Sequence, residues 1–509
     1  MSQPLIILPI IFQMVVAILL LFFGTKVQWQ RYISMAGSII ALVIAIVLFS
    51  EVWTTDILVT QAGNWKAPFG ITFVADTFSA LMVLLTAISA LAVSIFSGAA
   101  ISFQRMRFGY FPAFHFLIMG LNGAFLTGDL FNLYVWFEII IISSFVLITL
   151  GGEKAQLEGA VKYVAMNLLA SVIFLTAVGV LYGLAGTLNM ADLNLKVAAI
   201  ENRGLVNLVA MLFLVGFGIK SAIFPMYFWL PASYHTPPAA VSAIFGGLLT
   251  KVGVYALLRV FSLIFVPDTT MSYIILGIAA LTIISGALGA LVQKQVQKVF
   301  SYLIICHIGY MISGLGMFNY AAFTGVIFYL THDIIVKTNL FMIGGIINKL
   351  KGSYEYVRLG GLYAQYPKLS LLMAVALFSL VGIPPLSGFW PKVNLIQGGL
   401  ANEDYLSIAV IIFGSFITLF AIAKMWAEVF WKNSPEQDEQ SGASIETWTP
   451  RQKWSLIFPV VFLAFVSLYI GLAAEHILQV AMKVASELVD TSHYVQTVLG
   501  DYLNSNAEH

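Results

Sequence analysis

Charge is scarce in this chain: Asp, Glu, Lys and Arg make up 10% of its 509 residues, less than half the roughly 25% usual in soluble domains. The formal net charge is only +1, which argues against a nucleic-acid partner. Cysteine is scarcer still. The single thiol, Cys306, lies inside an apolar run, which excludes a disulfide and any cysteine cluster for iron–sulfur or zinc. Redox chemistry, a cofactor and a metal are therefore not expected. Long polar stretches are scarce as well, with 433–453 the exception. From Leu5 to Leu472, apolar runs long enough to span hydrocarbon follow one another almost without interruption, and hydrophobic residues reach 60%.

Hydropathy places helices near residues 4–23, 33–50, 75–99, 111–127, 130–150, 161–185, 206–230, 238–262, 271–292, 299–318, 321–346, 370–400, 406–431 and 454–474. The expected fold is an all-α integral membrane protein of about fourteen transmembrane helices. The first run has no cation before it and Lys26 after it, the reverse of a secretory signal, so it reads as an uncleaved helix with its amino end outside. With that orientation fifteen Lys and Arg fall on the cytoplasmic side and five outside, namely Lys66, Lys196, Arg203, Arg259 and Lys483. The bias follows the positive-inside rule, and an even number of helices returns the carboxyl end to the outside. The segment 433–453 reads as a solvated loop, and Ile477, Val480, Val484 and Leu488 are spaced for one face of a surface helix.

Two helices are interrupted at matching places. Helix seven carries Pro225 after Lys220, and helix twelve carries Gly382, Pro384, Pro385 and Gly388 before Lys392. Proline removes a backbone donor, and at membrane depth the freed carbonyls need polar partners or water. Each break falls in the fourth helix of a five-helix unit, if the units are 111–262 and 271–431. Five is odd, so the two units would be inverted repeats, flanked by residues 1–110 and by 432–509 with helix fourteen.

Five cations remain inside the spans: Lys220, Lys251, Lys337, Lys392 and Lys424. Lys220 and Lys251 lie roughly fourteen residues into their helices, near mid-bilayer at about 1.5 Å per residue. A lysine there costs about 3 kcal/mol toward lipid on the mildest scale, so it must face protein, water or a counter-charge. Glu138, in Tyr134-Val135-Trp136-Phe137-Glu138, is the only carboxylate deep in the first unit and the natural partner of Lys220. A static ion pair would explain those two residues and leave Lys251, His332, Lys337 and Lys392 without a reason. A proton relay explains the set, with His332 suited to it by a reference pKa of about 6.5. His332 and Lys337 are five residues apart, some 140° around the helix, and should face different neighbours. Asp333 either orients His332 or pairs with Lys337. His307 is a secondary candidate, His235 either collects protons or caps its connection, and Lys424 fits a snorkelling side chain.

These residues resemble a known family, the antiporter-like proton-translocating subunits shared by respiratory complex I, membrane-bound hydrogenases and Mrp-type multisubunit sodium/proton antiporters. The resemblance covers helices four to thirteen. Its specific segments are Trp136-Phe137-Glu138 and Lys220-Ser221-Ala222-Ile223-Phe224-Pro225, the latter running on through Trp229-Leu230-Pro231 and Pro237-Pro238 to Leu249-Thr250-Lys251-Val252-Gly253. It implies that Glu138 and Lys220 form a modulating pair, that Lys251 bridges onward, that His332 and Lys337 continue along the middle, and that Lys392 ends the axis. It also implies the fourteen-helix fold with inverted repeats and broken helices seven and twelve. Within the family, His332-Asp333-Ile334-Ile335-Val336-Lys337-Thr338-Asn339 and Ser233-Tyr234-His235-Thr236-Pro237-Pro238 resemble the D-type component of Mrp antiporters. Complex I homologues more often read Leu-Pro-Asp-Ala-His at the second segment, and a related complex I component has glutamate in place of Lys392. The long carboxyl extension of the large A-type Mrp component is not seen.

The expectation is thus a secondary transporter and not an enzyme, working as one multi-pass plasma-membrane component of a heteromeric complex with other membrane subunits. It would move protons along the buried Lys/His relay, coupled to Na+ elsewhere in that complex. The alternative is a proton-pumping component of complex I or of a membrane-bound hydrogenase.

Overall fold

The computed structural model describes residues 2–434 and 444–507; the acidic part of the expected 433–453 loop, with Glu436, Asp438 and Glu439, lies outside the described residues. Among the described residues, twelve helices are long and apolar enough to cross a membrane, and Tyr110–Leu126 and Pro367–Val381 are shorter apolar helices. In chain order these are α1 (Ser2–Phe22), α2 (Val27–Thr55), α3 (Thr77–Ala100), α4 (Tyr110–Leu126), α5 (Leu130–Thr149), α6 (Lys154–Ala185) and α7 (Arg203–Ser221, resumed at Trp229–Ser233). The second half holds α8 (Ala239–Leu263), α9 (Thr269–Val292), α10 (Val296–Met317), α11 (Tyr320–Lys351), α12 (Pro367–Val381, resumed at Phe389–Ala401), α13 (Tyr405–Trp431) and α14 (Pro450–Leu472). The fourteen expected helices are all present. Hydropathy underestimates α2, α6 and α11, because it sees only the apolar middle while polar ends such as Gln28 to Arg31 continue the helix.

Helix starts are written in the sequence. The first backbone N–H groups of a helix have no partner within it, and Asp76, Asp129, Asp268, Asn319 and Asp404 each accept a hydrogen bond from one of them, capping α3, α5, α9, α11 and α13. Asp76 adds a reciprocal bond, its own N–H donating to Ser79 Oγ at 2.9 Å.

Burial sorts the helices into a centre and a rim. α8 and α11 are buried along their whole apolar windows and α10 along 94%, whereas α1, α2, α6, α9 and α13 bury 33–39% and present aliphatic faces outward. A helix apolar all round belongs in such a centre. The titratable side chains of interest sit mostly on the central helices.

Both predicted breaks are present and have the same form. α7 stops at Ser221 with Ala222 in the left-handed region (φ 60°) and resumes at Trp229; α12 stops at Val381 with Gly382 left-handed (φ 87°) and resumes at Phe389. The carbonyls released by the breaks find donors, as membrane depth requires. Trp229 Nε1 donates to Ile219 O at 3.0 Å, and Lys392 Nζ donates to Val381 O at 2.7 Å.

Two features lie outside the helical bundle. A two-stranded antiparallel hairpin, β1 (Leu58–Gln61) with β2 (Thr72–Ala75), was not expected from hydropathy. The tail forms α15 (Ala474–Val489) and α16 (Ser492–Ala507); Val484 and Leu488 of α15 are buried, in line with the predicted apolar face.

Candidate functional site

Asp333 of α11 is the centre of the site. Its Oδ2 lies 2.7 Å from Lys251 Nζ of α8, and its Oδ1 accepts a 2.6 Å hydrogen bond from His307 Nδ1 of α10. All three side chains are wholly buried. Lys251 also donates to Gly246 O at 2.8 Å, a carbonyl within the π-helical turn Phe245–Leu249 that widens α8. Asp333 therefore neither orients His332 nor pairs with Lys337, as its sequence position suggested. One residue is 100° on a helix, which turns Asp333 toward α8 and α10 while His332 faces α12.

His332 Nδ1 is 2.8 Å from Ser387 Oγ, inside the α12 break, and its Nε2 is buried without a hydrogen-bond partner. Gly388 passes so close that a Cβ there would lie 3.0 Å from that Nε2. Lys392, just past the break, sits 5.3 Å from the Tyr310 ring centroid. Tyr310 and Tyr329 stand among the histidines: ring centroids are 5.3 Å apart for His307 and Tyr329, 5.8 Å for Tyr329 and His332, and 6.0 Å for His307 and Tyr310. His307 Nε2, Tyr329 OH and Lys337 Nζ are also buried without a partner. Buried polar atoms are normally satisfied, and bridging water is the usual means. The orphaned atoms thus belong to the same helices that carry the buried charges.

In the first unit Lys220 ends the first piece of α7. Its Nζ is 3.4 Å from Ser171 Oγ of α6 and 5.0 Å from the Phe137 ring centroid of α5. Glu138, next to Phe137, has a buried Oε1 without a hydrogen-bond partner, and it makes no ion pair with Lys220 within 4.0 Å among the described residues. A cavity of about 20 Å³, room for one water, lies against Lys220, Asn167 and Tyr163. Gly253 of α8 meets the α7 break directly: a Cβ there would lie 2.8 Å from Ser221 N, so glycine is what lets the two helices touch two residues from Lys251.

His235, in the connection after α7, lines two open clefts of about 370 and 450 Å³. Its Nδ1 donates to Pro231 O at 2.8 Å, since a carbonyl can only accept, which leaves Nε2 as the free basic atom. Burial, then the nearby Lys298, hold its pKa below the ordinary histidine value. Lys424 is exposed and donates to Leu291 O at 2.9 Å, the behaviour of a snorkelling side chain.

The structure brings together Lys251, His307, His332, Asp333 and Lys392 around α11; Lys337 shares that helix, and Glu138, Lys220 and His235 stand along the first unit. Tyr310, Tyr329, Ser171 and Ser387 were not singled out from sequence. Only Ser387 had a signal, its place inside the Pro385–Gly388 break. His115 was missed too: it is wholly buried on α4, held by Gln13 at 2.6 Å and Ser34 at 2.9 Å. Among the described residues no group of three or more His, Cys, Asp or Glu converges as a metal site.

A bundle of this size, with two broken helices and a buried row of Lys, His and Asp, is the architecture of an antiporter-like membrane protein. Residues 127–418 match the family model described as NADH:quinone oxidoreductase/Mrp antiporter, transmembrane. The chain is 42% identical over 496 residues to the D-type component of the Na+/H+ antiporter of Alkalihalophilus pseudofirmus, covering 97% of this chain and 99% of that one. It is 40% identical over 497 residues to the D-type component of the Na+/H+ antiporter of Bacillus subtilis, with 97% and 99% coverage. It superposes on a chain of the Mrp complex from Dietzia sp. DQ12-45-1b with a TM-score of 0.89 at 28% identity, covering 98% and 99%. The chain belongs to the NADH:quinone oxidoreductase/Mrp antiporter transmembrane family and, within it, to the D-type components of Mrp antiporters. The resemblance read from its motifs is borne out, and the chain is part of a transporter and not an enzyme.

Proposed function

We propose that this chain is the proton-translocating component of a heteromeric Na+/H+ antiporter in the plasma membrane, both termini outside. Units 111–262 and 271–431 act as inverted repeats. The observation that carries this reading is the wholly buried Lys251–Asp333–His307 node, continued by His332, Lys337 and Lys392. A proton taken up near His235 reaches Lys220, whose state responds to the charge of Glu138. Lys251 receives it next and passes it to the Asp333 carboxylate; a His307 ring carrying its single proton on Nε2 accepts it from Asp333 at Nδ1 and releases the Nε2 proton onward. Lys337, His332 and Lys392 carry it to the far side of the second unit. Na+ moves elsewhere in the complex, coupled to this flow. A chain of groups each able to hold one extra proton suits such a relay, because no single buried site has to keep a charge for long.

The test is Lys220→Ala in the assembled complex, with sodium-driven pH changes followed in membrane vesicles. Exchange should fall to the level of vesicles lacking the complex while assembly is retained. Undiminished exchange overturns the relay, and loss of assembly with normal exchange per assembled complex assigns Lys220 to structure.

A further inference from the structure

The transport reading leaves unused a pair of arginines far from the relay. Arg31 stands near the start of α2 and Arg451 in the first turn of α14, at the end of the bundle that carries most of the chain's Lys and Arg. The two line one groove of about 240 Å³ between α2, α3 and α14. Among the described residues neither is in an ion pair with a carboxylate. Arg31 Nε donates only to the thioether of Met106 at 3.3 Å, a weak acceptor, and Arg451 lies 5.4 Å from the Tyr32 ring centroid. Neither helix has an acidic residue in its first turn. Among the described residues, two guanidinium groups therefore share a site with no carboxylate to offset them, where an anion would be held by both.

Away from the arginines the groove is apolar. Met35, Ile95 and Trp454 form its walls, and its floor is Ser94, Gly98 and Ser455, small residues that keep α3 and α14 close enough to leave a slot above them. Trp454 begins a row of stacked rings along the surface of α14, with centroids 5.3 Å apart to Phe458 and a further 6.3 Å to Phe462. Cationic at the bundle end and apolar with depth, the groove follows the polarity of a phospholipid in one leaflet. A free phosphate would use the arginines and leave the apolar walls unexplained; a zwitterionic lipid would bring an ammonium toward them.

We propose that the groove between Arg31 and Arg451 is a binding site for one anionic phospholipid, its phosphate held by the two guanidinium groups and an acyl chain laid along Trp454 and Phe458. This stands independently of the proton relay. Each basic residue near a membrane surface is worth about 1 kcal/mol toward an anionic lipid, so removing both should weaken retention about thirty-fold.

The experiment uses the assembled complex, wild type or Arg31→Gln/Arg451→Gln, exchanged into micelles doped with phosphatidylglycerol or phosphatidylcholine of the same acyl chains. Retained lipid is counted by native mass spectrometry, and a photoactivatable phosphatidylglycerol maps the contact. Wild type should retain one phosphatidylglycerol that crosslinks beside Met35 or Trp454, and the double variant should lose it. Arg31→Lys/Arg451→Lys keeps the charges and should retain most of the binding, which separates lost contact from lost folding. Equal retention of the two lipids, equal retention by the Gln variant, or crosslinks elsewhere would overturn the proposal. So would another protein of the complex found in the groove.

Discussion

Replacing Asp333 with Asn removes one charge from the central node and keeps its volume. Lys251 then has two courses. It can keep its proton without a counter-charge, and breaking a buried pair from one side costs about 3–5 kcal/mol. Or it can give the proton up, which for a lysine of reference pKa about 10.4 costs about 4–5 kcal/mol at pH 7. The two courses cost nearly the same, so the destabilisation is about 4 kcal/mol whichever is taken. With an unfolding entropy of about 2.1 cal/mol/K per residue over 509 residues, the thermal midpoint falls by at least about 4 °C. The double variant Asp333→Asn/Lys251→Met removes both charges, and a buried pair replaced on both sides is close to neutral. It should recover most of the midpoint. Sodium-driven pH change in vesicles should stay lost in both, because restoring the packing does not restore the proton carriers. Melting of the detergent-solubilised complex and vesicle exchange are measured on the same preparations. A single variant that melts within about 1 °C of wild type refutes the buried ion pair. A double variant that exchanges normally shows that these charges hold the bundle together and carry nothing.

Three further outcomes follow from local geometry. Gly253→Ala places a Cβ 2.8 Å from Ser221 N, a backbone atom with no rotamer to move to, and should cost about 1–3 kcal/mol; an unchanged thermal midpoint would contradict the close approach of α7 and α8. Trp229→Phe removes the indole donor from the Ile219 carbonyl at the α7 break, which keeps only the Ala222 N–H at 3.1 Å, and should cost about 1 kcal/mol; an unchanged thermal midpoint would contradict the bond. Glu487 of α15 accepts a 2.6 Å hydrogen bond from Thr77, and burial, then the nearby Asp76, push its pKa up to about 7. A carboxyl with a raised folded pKa keeps its proton on folding at mildly acid pH, so its contribution falls as pH rises from about 4.5 to about 7 and is lost above that. Glu487→Gln should therefore stabilise the complex by about 1–3 kcal/mol at pH 8 and leave it unchanged at pH 4.5; melting curves at the two pH values decide, and equal effects at both would refute the assignment.

The helices were legible because hydropathy and length report directly on a span, and the breaks because Pro225 and the Gly382–Gly388 run have few other uses inside one. The residues that carry charge were legible too, since each buried cation is expensive enough to need a reason. Their partners were not. Asp333 and His332 are adjacent in sequence and face different helices, and only the packing of α8, α10 and α12 around α11 decides what each meets. The pairing of Glu138 with Lys220 came from elimination among charged residues. Elimination overlooks neutral partners, and Lys220 rests on the ring of Phe137 and the hydroxyl of Ser171. Tyr310 and Tyr329 were invisible for a related reason: an aromatic residue in an apolar helix is ordinary until a histidine is found beside it.

The two breaks, alike in backbone, are closed by different chemistry, and that difference bears on mechanism. In α7 the carbonyl of Ile219 accepts from the indole of Trp229 and from the Ala222 N–H, neutral donors whose bonds are indifferent to the state of Lys220. In α12 the carbonyl of Val381 is taken by Lys392 itself. An ammonium donates more strongly than an amine, so a change in the charge of Lys392 changes how well the α12 break is held. The first break is therefore a fixed hinge beside its lysine. The second ties the local backbone to the charge of its lysine, and through the proposed relay to proton movement, with His332 and Ser387 at the same gap.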